Sequence, residues 1–484
     1  MSTDRAPALT GSLGVGSIVF MVVAAAAPLT AVSGVVPLGI LLGDGAAFPA
    51  TFVICCVVLL LFAVGYSAMS RHVPQAGAFY TYIQEALGRT AGQGAAYLAL
   101  ATYSLVQLAV YGYLGVVADG LVRDYGGPAL PWWLWACAAA AAVGVLGYRN
   151  IELSGKVLGV LLLGEVGIVL ALDAVVTVRG GGPSGLSTAF LRPERIGSGS
   201  LGIGIVFAIA SYLGFEATAV FRDEARDPER TIPRATYLSL LLIGGFYTLS
   251  SWAVVSAWGE AQAVEAAGAD PSGMLITTIT RYLGTAAGDV AQVLLLSSLF
   301  AALLSFHNVL ARYGFALGNS GLLPRVCGGR HERHGSPHAA SLLQSASAVV
   351  LVAVCAASGL DPVTQVFAWM SGTATLGALL LMGLTCLSVI VFFRRTRLDS
   401  RLWQTLLAPG LGLLGLGSCL WLVTVNFPLL IGGSTALAVT IGAVPPVFFA
   451  IGALLSVVRS RRTEATAATQ PVSVPVPVPE AEAV

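Results

Sequence analysis

The sequence predicts an all-α polytopic membrane protein of about 12 transmembrane helices, and three observations predict it. Of its 484 residues, 56% are hydrophobic and only 10% charged. A soluble domain needs about a quarter of its residues as Asp, Glu, Lys or Arg to cover a water-facing surface. Apolar runs of spanning length recur along the chain, and the 25 Lys and Arg residues fall mostly in alternate gaps between those runs. Soluble, secreted and disordered classes are thereby excluded. A net charge of +1 offers little to a nucleic-acid backbone, so no nucleic-acid partner is expected. Cys55, Cys56, Cys137, Cys355, Cys386 and Cys419 lie inside apolar runs without a CxxC pair, which reads as buried small side chains rather than a metal or disulfide set. Neither a metal nor a cofactor is expected.

The runs lie near 14–41, 48–69, 94–118, 131–148, 155–178, 199–220, 236–258, 287–313, 339–358, 364–393, 405–426 and 433–458. The first is too long for a signal peptide and reads as a retained helix. Residues 1–12 form a short terminal segment, and 463–484, with Pro-Val alternation, are expected to be disordered. Between segments 7 and 8, Met274 to Leu283 is expected to form a short surface helix.

Orientation follows from the basic residues. With the N-terminus inside, only Arg123, Arg179, Arg192, Arg195 and Arg281 of the 25 Lys and Arg face out. This asymmetry predicts cytoplasmic termini in a plasma-membrane protein.

Two segments contain helix breakers at mid-depth. The first has Pro28 after four alanines, then Gly34 and Pro37. The sixth has Gly214 and Glu216 where a lipid-facing helix would carry leucine. A spanning helix tolerates such residues where the freed backbone groups find partners or line a cavity. Taken singly, Pro28 is also compatible with an ordinary kink and Gly214 with a close helix contact. Their placement at the start of two five-helix halves, 13–180 and 199–393, fits inverted repeats with a midplane site, with 401–458 supplying two further helices. A half-helix N-terminus suits a carboxylate and a half-helix C-terminus suits an ammonium group or cation, so a site with both suits a zwitterion.

Four stretches resemble the amino acid-polyamine-organocation superfamily of permeases. They are FAIASYLGFEATAVFRDEARDPERTIPRA from Phe207, PQAGAFYTYIQEALG from Pro74, NVLARYGFALGNSGLLP from Asn308, and the broken first segment from Gly16 to Gly34. Segments 9 to 12 add no motif. The resemblance implies a LeuT-like core of five plus five inverted helices and secondary transport of amino acids or related amines. It implies amides around Ala27, Leu29 and Thr30 for a substrate carboxylate. It implies carbonyls around Ala210, Ser211 and Leu213, beside Gly214, for an amino group. Two departures stand out. The first break is Ala-rich where well-known members are Gly-rich, and Ala210 sits where some members carry an aromatic gate. Phe207, one turn earlier, is then the candidate lid. Tyr103 and Gln107, four apart on the third helix, are candidate contacts by the same resemblance, and equally suit interhelical hydrogen bonds.

Ionisable groups at membrane depth are functional candidates by default. Glu165 lies about ten residues, roughly 15 Å, into the fifth helix. By resemblance it occupies the place where proton-coupled relatives cycle a proton on a basic residue. Packing glue is the competing role. Glu216 either fixes the unwound backbone or relays protons. Lys156 is close enough to the cytoplasmic end to snorkel, and His307 reads as a helix-contact histidine. The loop Arg330 to His334, with His338, has chelator spacing but reads as a charged cytoplasmic loop. Sodium in place of a proton is an alternative through groups near Ser305 and the first break.

The functional expectation is a proton-coupled amino acid symporter working by alternating access. Segments 1, 2, 6 and 7 would rock against 3, 4, 8 and 9. An exchanger is the first alternative and a non-transporting sensor a weaker one. A membrane enzyme is disfavoured because no GxSxG, HExxH or similar set lies inside a span.

Overall fold

The computed structural model describes residues 13–73, 79–149, 155–329, 331 and 336–469. Among them all regular structure is helical, apart from isolated β-bridges. Ten helical runs are long and apolar enough to cross a membrane, and Trp132–Tyr148 is a shorter apolar helix. The first run, Val15–Ser70, has 56 residues. Straight, it would extend roughly 84 Å, far beyond a hydrocarbon core of about 30 Å. It divides where Gly43 leaves helical geometry and Gly45 takes φ 57°. The chain is a multi-pass membrane protein.

The principal helices are α1 (Val15–Ala25), α2 (Phe48–Ser70), α3 (Arg89–Asp124), α4 (Trp132–Tyr148), α5 (Gly155–Val178) and α6 (Leu201–Tyr212). They continue as α7 (Pro228–Trp258), α8 (Thr285–Asn319), α9 (His338–Ala357), α10 (Ala368–Thr396), α11 (Ala408–Leu430) and α12 (Val444–Thr469). Several of these exceed their apolar runs. α3 extends beyond 94–118 and α7 starts before 236, because hydropathy ends where charges begin whereas helical hydrogen bonding does not. Pro228 opens α7 at a position where the missing N–H would have had no partner. α12 continues to Thr469 through an alanine-rich stretch expected to be disordered. Residues 1–12, 74–78, 150–154, 330, 332–335 and 470–484 lie outside the described residues. So do the start of the Pro74 motif, Arg330 and Glu332 to His334.

Met274–Leu283 is helical, burying Met274, Leu275, Ile279 and Tyr282 on one face, and a second short helix, Glu260–Ala269, precedes it. α3 packs against α8, α10 and α12; α2 against α7 and α11; α5 against α7 and α8. Trp421, Leu414 and Leu454 on α11 and α12 are exposed, as suits side chains solvated by lipid. Gly39 is required by close packing: a Cβ there would fall 2.1 Å from the Phe48 ring.

Segments 1 and 6 are joined at both ends. At one end Leu13 N–H donates to Glu224 O at 2.9 Å and Arg226 N–H to Leu13 O at 3.0 Å. At the other, the buried Asp44 carboxylate accepts Gly197 N–H at 2.8 Å and Gly199 N–H at 3.0 Å, while Ser200 N–H reaches Gly43 O at 2.9 Å. The backbone amides replace the hydration that the buried Asp44 carboxylate loses. Asp44→Ala is expected to cost about 1–3 kcal/mol, because it removes the charged acceptor that holds this end of the two segments together. Thermal unfolding of detergent-purified protein checks this, and a melting temperature equal to the parent's would show that the clamp is dispensable.

Candidate functional site

The first segment stops at Ala25, and Ala27 adopts a left-handed conformation, φ 47°, ψ 69°. Pro28 explains the restart. Its fixed φ suits a first helical position and its absent N–H is no loss there, so the chain must turn just before it. Alanine pays about 1–2 kcal/mol for that turn through its Cβ. After Pro28–Thr30 the helix passes through wide turns at Ala31–Val35 and Gly39–Asp44 on either side of Pro37.

At the restart, Leu29 N–H donates to Glu165 Oε2 of α5 at 3.4 Å. The same oxygen accepts Ser298 Oγ–H of α8 at 2.9 Å, and Thr30 Oγ–H donates to Ser298 Oγ at 3.1 Å. The carboxylate therefore sits at the positive end of the resumed helix and joins it to two neighbours. On the other side of the turn, Tyr247 OH of α7 donates to Ala26 O at 3.1 Å.

The sixth segment stops at Tyr212. Leu213 is extended, φ −57°, ψ 131°, and Gly214 has φ 113° before a tight helix, Phe215–Glu224, begins. Gly214 N–H donates to Glu216 Oε2 at 2.8 Å, two residues along. Tyr103 OH donates to Glu216 Oε1 at 2.8 Å and Tyr66 OH to Glu216 O at 3.0 Å. These bonds tie Glu216 to the local backbone and to α2 and α3.

A cavity of about 70 Å³ lies between the two interruptions. Of the sequence candidates, Ala27, Thr30, Ala210, Ser211 and Leu213 line it. Leu29 is buried outside it, its amide taken by Glu165. Gly214 adjoins the cavity without lining it. Tyr103 is spent on Glu216, and Gln107 accepts Gln344 Nε2–H at 2.6 Å while donating to Leu303 O at 3.4 Å. Phe207 is fully buried off the cavity, so it does not form the lid expected of it. The aromatic walls are Phe306 on α8 and Phe367, just before α10. Phe367 stacks near Tyr113, with ring centroids 5.1 Å apart, and closes over Gly34.

Sequence reasoning missed Phe306, Phe367, Ser298 and Tyr247, which carry no signal apart from their neighbours. It also missed Asp173, a charged residue inside the apolar run of α5, whose signal was present. Ser305 is exposed on α8, and Ser298 two turns earlier is the hydroxyl that reaches the first interruption. His307 Nε2 is paired with Ser341 Oγ at 2.8 Å, as a helix contact. His331 and His338 rings lie 5.3 Å apart beside Tyr148. Among the described residues no group of three or more His, Cys, Asp or Glu could hold a metal.

Backbone conformation sets the expected response to substitution. Ala27→Gly should raise stability by about 1 kcal/mol, since glycine has no Cβ to strain in the left-handed region. Gly214→Ala should lower it by about 1–3 kcal/mol. The nearest heavy atoms to a Cβ at Gly214 are 3.9 Å away, so conformation and not crowding is the cause. Opposite shifts in melting temperature check both, and a rise for Gly214→Ala would contradict the assigned φ.

Comparison with known proteins identifies the family of the chain. The family model described as amino acid permease matches residues 17–460. The chain is 23% identical over 283 residues to the low-affinity putrescine importer PlaP of Escherichia coli, covering 57% of this chain and 60% of that protein. It is 27% identical over 249 residues to the L-asparagine permease of Escherichia coli, covering 45% and 46%. It is 22% identical over 318 residues to the branched-chain amino acid permease BcaP of Bacillus subtilis, covering 60% and 64%. The chain thus spans less than two thirds of the length of each of these relatives. The match of the family model from the first helix to the last turns of α12 nevertheless decides membership: the chain belongs to the amino acid permease family.

Proposed function

We propose that this protein is a secondary active transporter of amino acids, working by alternating access in the plasma membrane and coupled to protons. One observation carries the reading: two interrupted helices meet at one cavity, with a buried carboxylate bonded to the backbone at one interruption. Residues 13–180 and 199–393 act as inverted halves, 401–458 as appended helices, and both termini are cytoplasmic.

The lining supports the substrate class. Among the described residues no side chain lining the cavity is ionisable, and the polar ones are Thr30, Ser211 and Ser371. A zwitterion's charged ends then fall to backbone groups at Ala27 to Thr30 and at Ala210 to Leu213. The substrate side chain faces Val106, Ala109, Val110, Ala302, Phe306 and Phe367. That surroundings suit a small neutral side chain. The second ammonium group of a diamine would face an apolar wall with no anionic partner. Relatives' names span putrescine, asparagine and branched-chain amino acids, and the lining favours the neutral amino acids.

Glu165 supplies the coupling. While ionised it is a strong acceptor for Leu29 N–H and Ser298 O–H. A proton on that carboxyl weakens both bonds and releases the first segment from α5 and α8, so proton binding and reorientation become one event. Glu216 holds the second interruption in place.

Uptake by purified protein in liposomes tests this, using labelled neutral amino acids and putrescine with imposed proton or sodium gradients. Gradient-driven accumulation of neutral amino acids is expected only with protons. Glu165→Gln should abolish the drive, a loss of about tenfold or more, while retaining part of the counterflow. Unchanged pH dependence in that variant would remove Glu165 from coupling. Counterflow with no gradient response in the parent protein would make it an exchanger, and absence of all flux would leave a non-transporting role.

A further inference from the structure

Asp173 takes no part in the contacts above. It lies eight residues beyond Glu165 on α5, about 12 Å along the axis, and it is 3% exposed. Ser250 Oγ–H of α7 donates to Oδ2 at 3.0 Å, and among the described residues Oδ1 has no hydrogen-bond partner. α7, α8, Met274–Leu283 and the Pro28–Thr30 turn pack against α5, with α1 approaching more weakly. Titratable or charged groups at this end are Tyr247 on α7, Arg281 and Tyr282 on Met274–Leu283, Asp289 on α8, and Arg179 just past α5. α1 and Pro28–Thr30 carry none. Arg179 lies over the Tyr282 ring and Arg281 over Trp258, and among the described residues no cation pairs with Asp173. Lys156, Glu229, Arg230, Arg234, His307 and Arg312 belong to the opposite end of these helices. A buried carboxylate with one vacant oxygen and no counter-charge is costly for a purely structural group. Ser250 has no need of it, because a helical serine can bond its own preceding carbonyl.

We infer that Asp173 is a second proton-handling carboxylate, the station between the outer end of α5 and Glu165, with Ser250 and Tyr247 lining the interval. Those two are three residues apart and share a face of α7. Ser250 meets Asp173, and Tyr247 meets Ala26 O beside the first interruption. In the step, hydronium from the outer side gives its proton to Oδ1, leaving water and a neutral carboxyl. That O–H bond breaks as the proton passes on to Glu165, and Asp173 returns to the carboxylate. One proton enters and one is delivered.

The inference rests on proton coupling through Glu165, and the experiment separates the two. Asp173→Asn, Ser250→Ala and Glu165→Gln are compared in liposomes for gradient-driven uptake against external pH and for gradient-free counterflow. Asp173→Asn should lose about tenfold of driven uptake and flatten the external-pH profile while counterflow persists. Ser250→Ala should retain uptake but displace the profile, which keeps the test open if Asp173→Asn folds poorly. A driven parent with a silent Glu165→Gln, and parent-like profiles for both Asp173→Asn and Ser250→Ala, would overturn only the role of Asp173. Equal loss of driven uptake and counterflow in Asp173→Asn, with an unmoved Ser250→Ala profile, would assign Asp173 to packing. A parent indifferent to the gradient would overturn the coupling through Glu165 and this inference with it.

Discussion

Hydrocarbon provides no partner for a backbone amide or carbonyl, and this structure is organised around that constraint. Two spanning segments give up their helical bonds at mid-depth, and each set of freed groups must be answered from within the protein. Glu165 answers the first from another helix, and Glu216 answers the second from two residues along the same segment. The placement of α5, α7 and α8 around the first interruption, and of α2 and α3 around the second, follows from where Glu165, Tyr247, Ser298, Tyr66 and Tyr103 must stand to complete those bonds.

The same economy shapes the cavity. The carboxylates near it, Glu165 and Glu216, are occupied by backbone N–H groups and by the hydroxyls of Ser298 and Tyr103, so the wall itself is apolar apart from a few hydroxyls. A ligand entering such a space meets dipoles fixed by the fold rather than mobile ions. Dipoles of that kind need no reorganisation when charge arrives, and they act in a medium where electrostatic interactions are strong. Tyr113 adds a link between the first segment and Phe367, sharing a hydrogen bond of 2.7 Å with Ser33 while its ring packs near Phe367.

Much of this was legible in the sequence, for physical reasons. Helices written in apolar residues announce themselves by composition, and Pro28 and Gly214 are visible because few residues can do what they do. Glu165 stood out as a charge in the middle of an apolar run. What the sequence concealed depends on which faces meet. Nothing local to Phe306 or Phe367 separates them from other core aromatics, and nothing local to Tyr103 or Gln107 says that their polar ends are already engaged. Phe207 was placed on the cavity by counting one helical turn back from Ala210. The helix, however, presents that position to its packed side. Asp173 was overlooked because it stands only five residues from the end of α5, where an aspartate is ordinarily wet, and only the packing of α7 makes it dry.

The two interruptions are unlike in one respect that bears on how such a chain can drift over evolutionary time. The second is close to a cassette: a glycine, and two positions later the acid that bonds its amide, travel together in a stretch of three residues. A change there can be repaired by its immediate neighbours. The first is assembled from loci far apart in the chain, since Leu29, Glu165 and Ser298 belong to three different helices. Leu29 offers only its backbone N–H, which survives a change of side chain, but a substitution at Glu165 or Ser298 leaves the other without a partner, so replacements at those two positions should be inherited jointly. Related chains that have abandoned the acid on the fifth helix should carry an altered residue at the Ser298 position of the eighth as well.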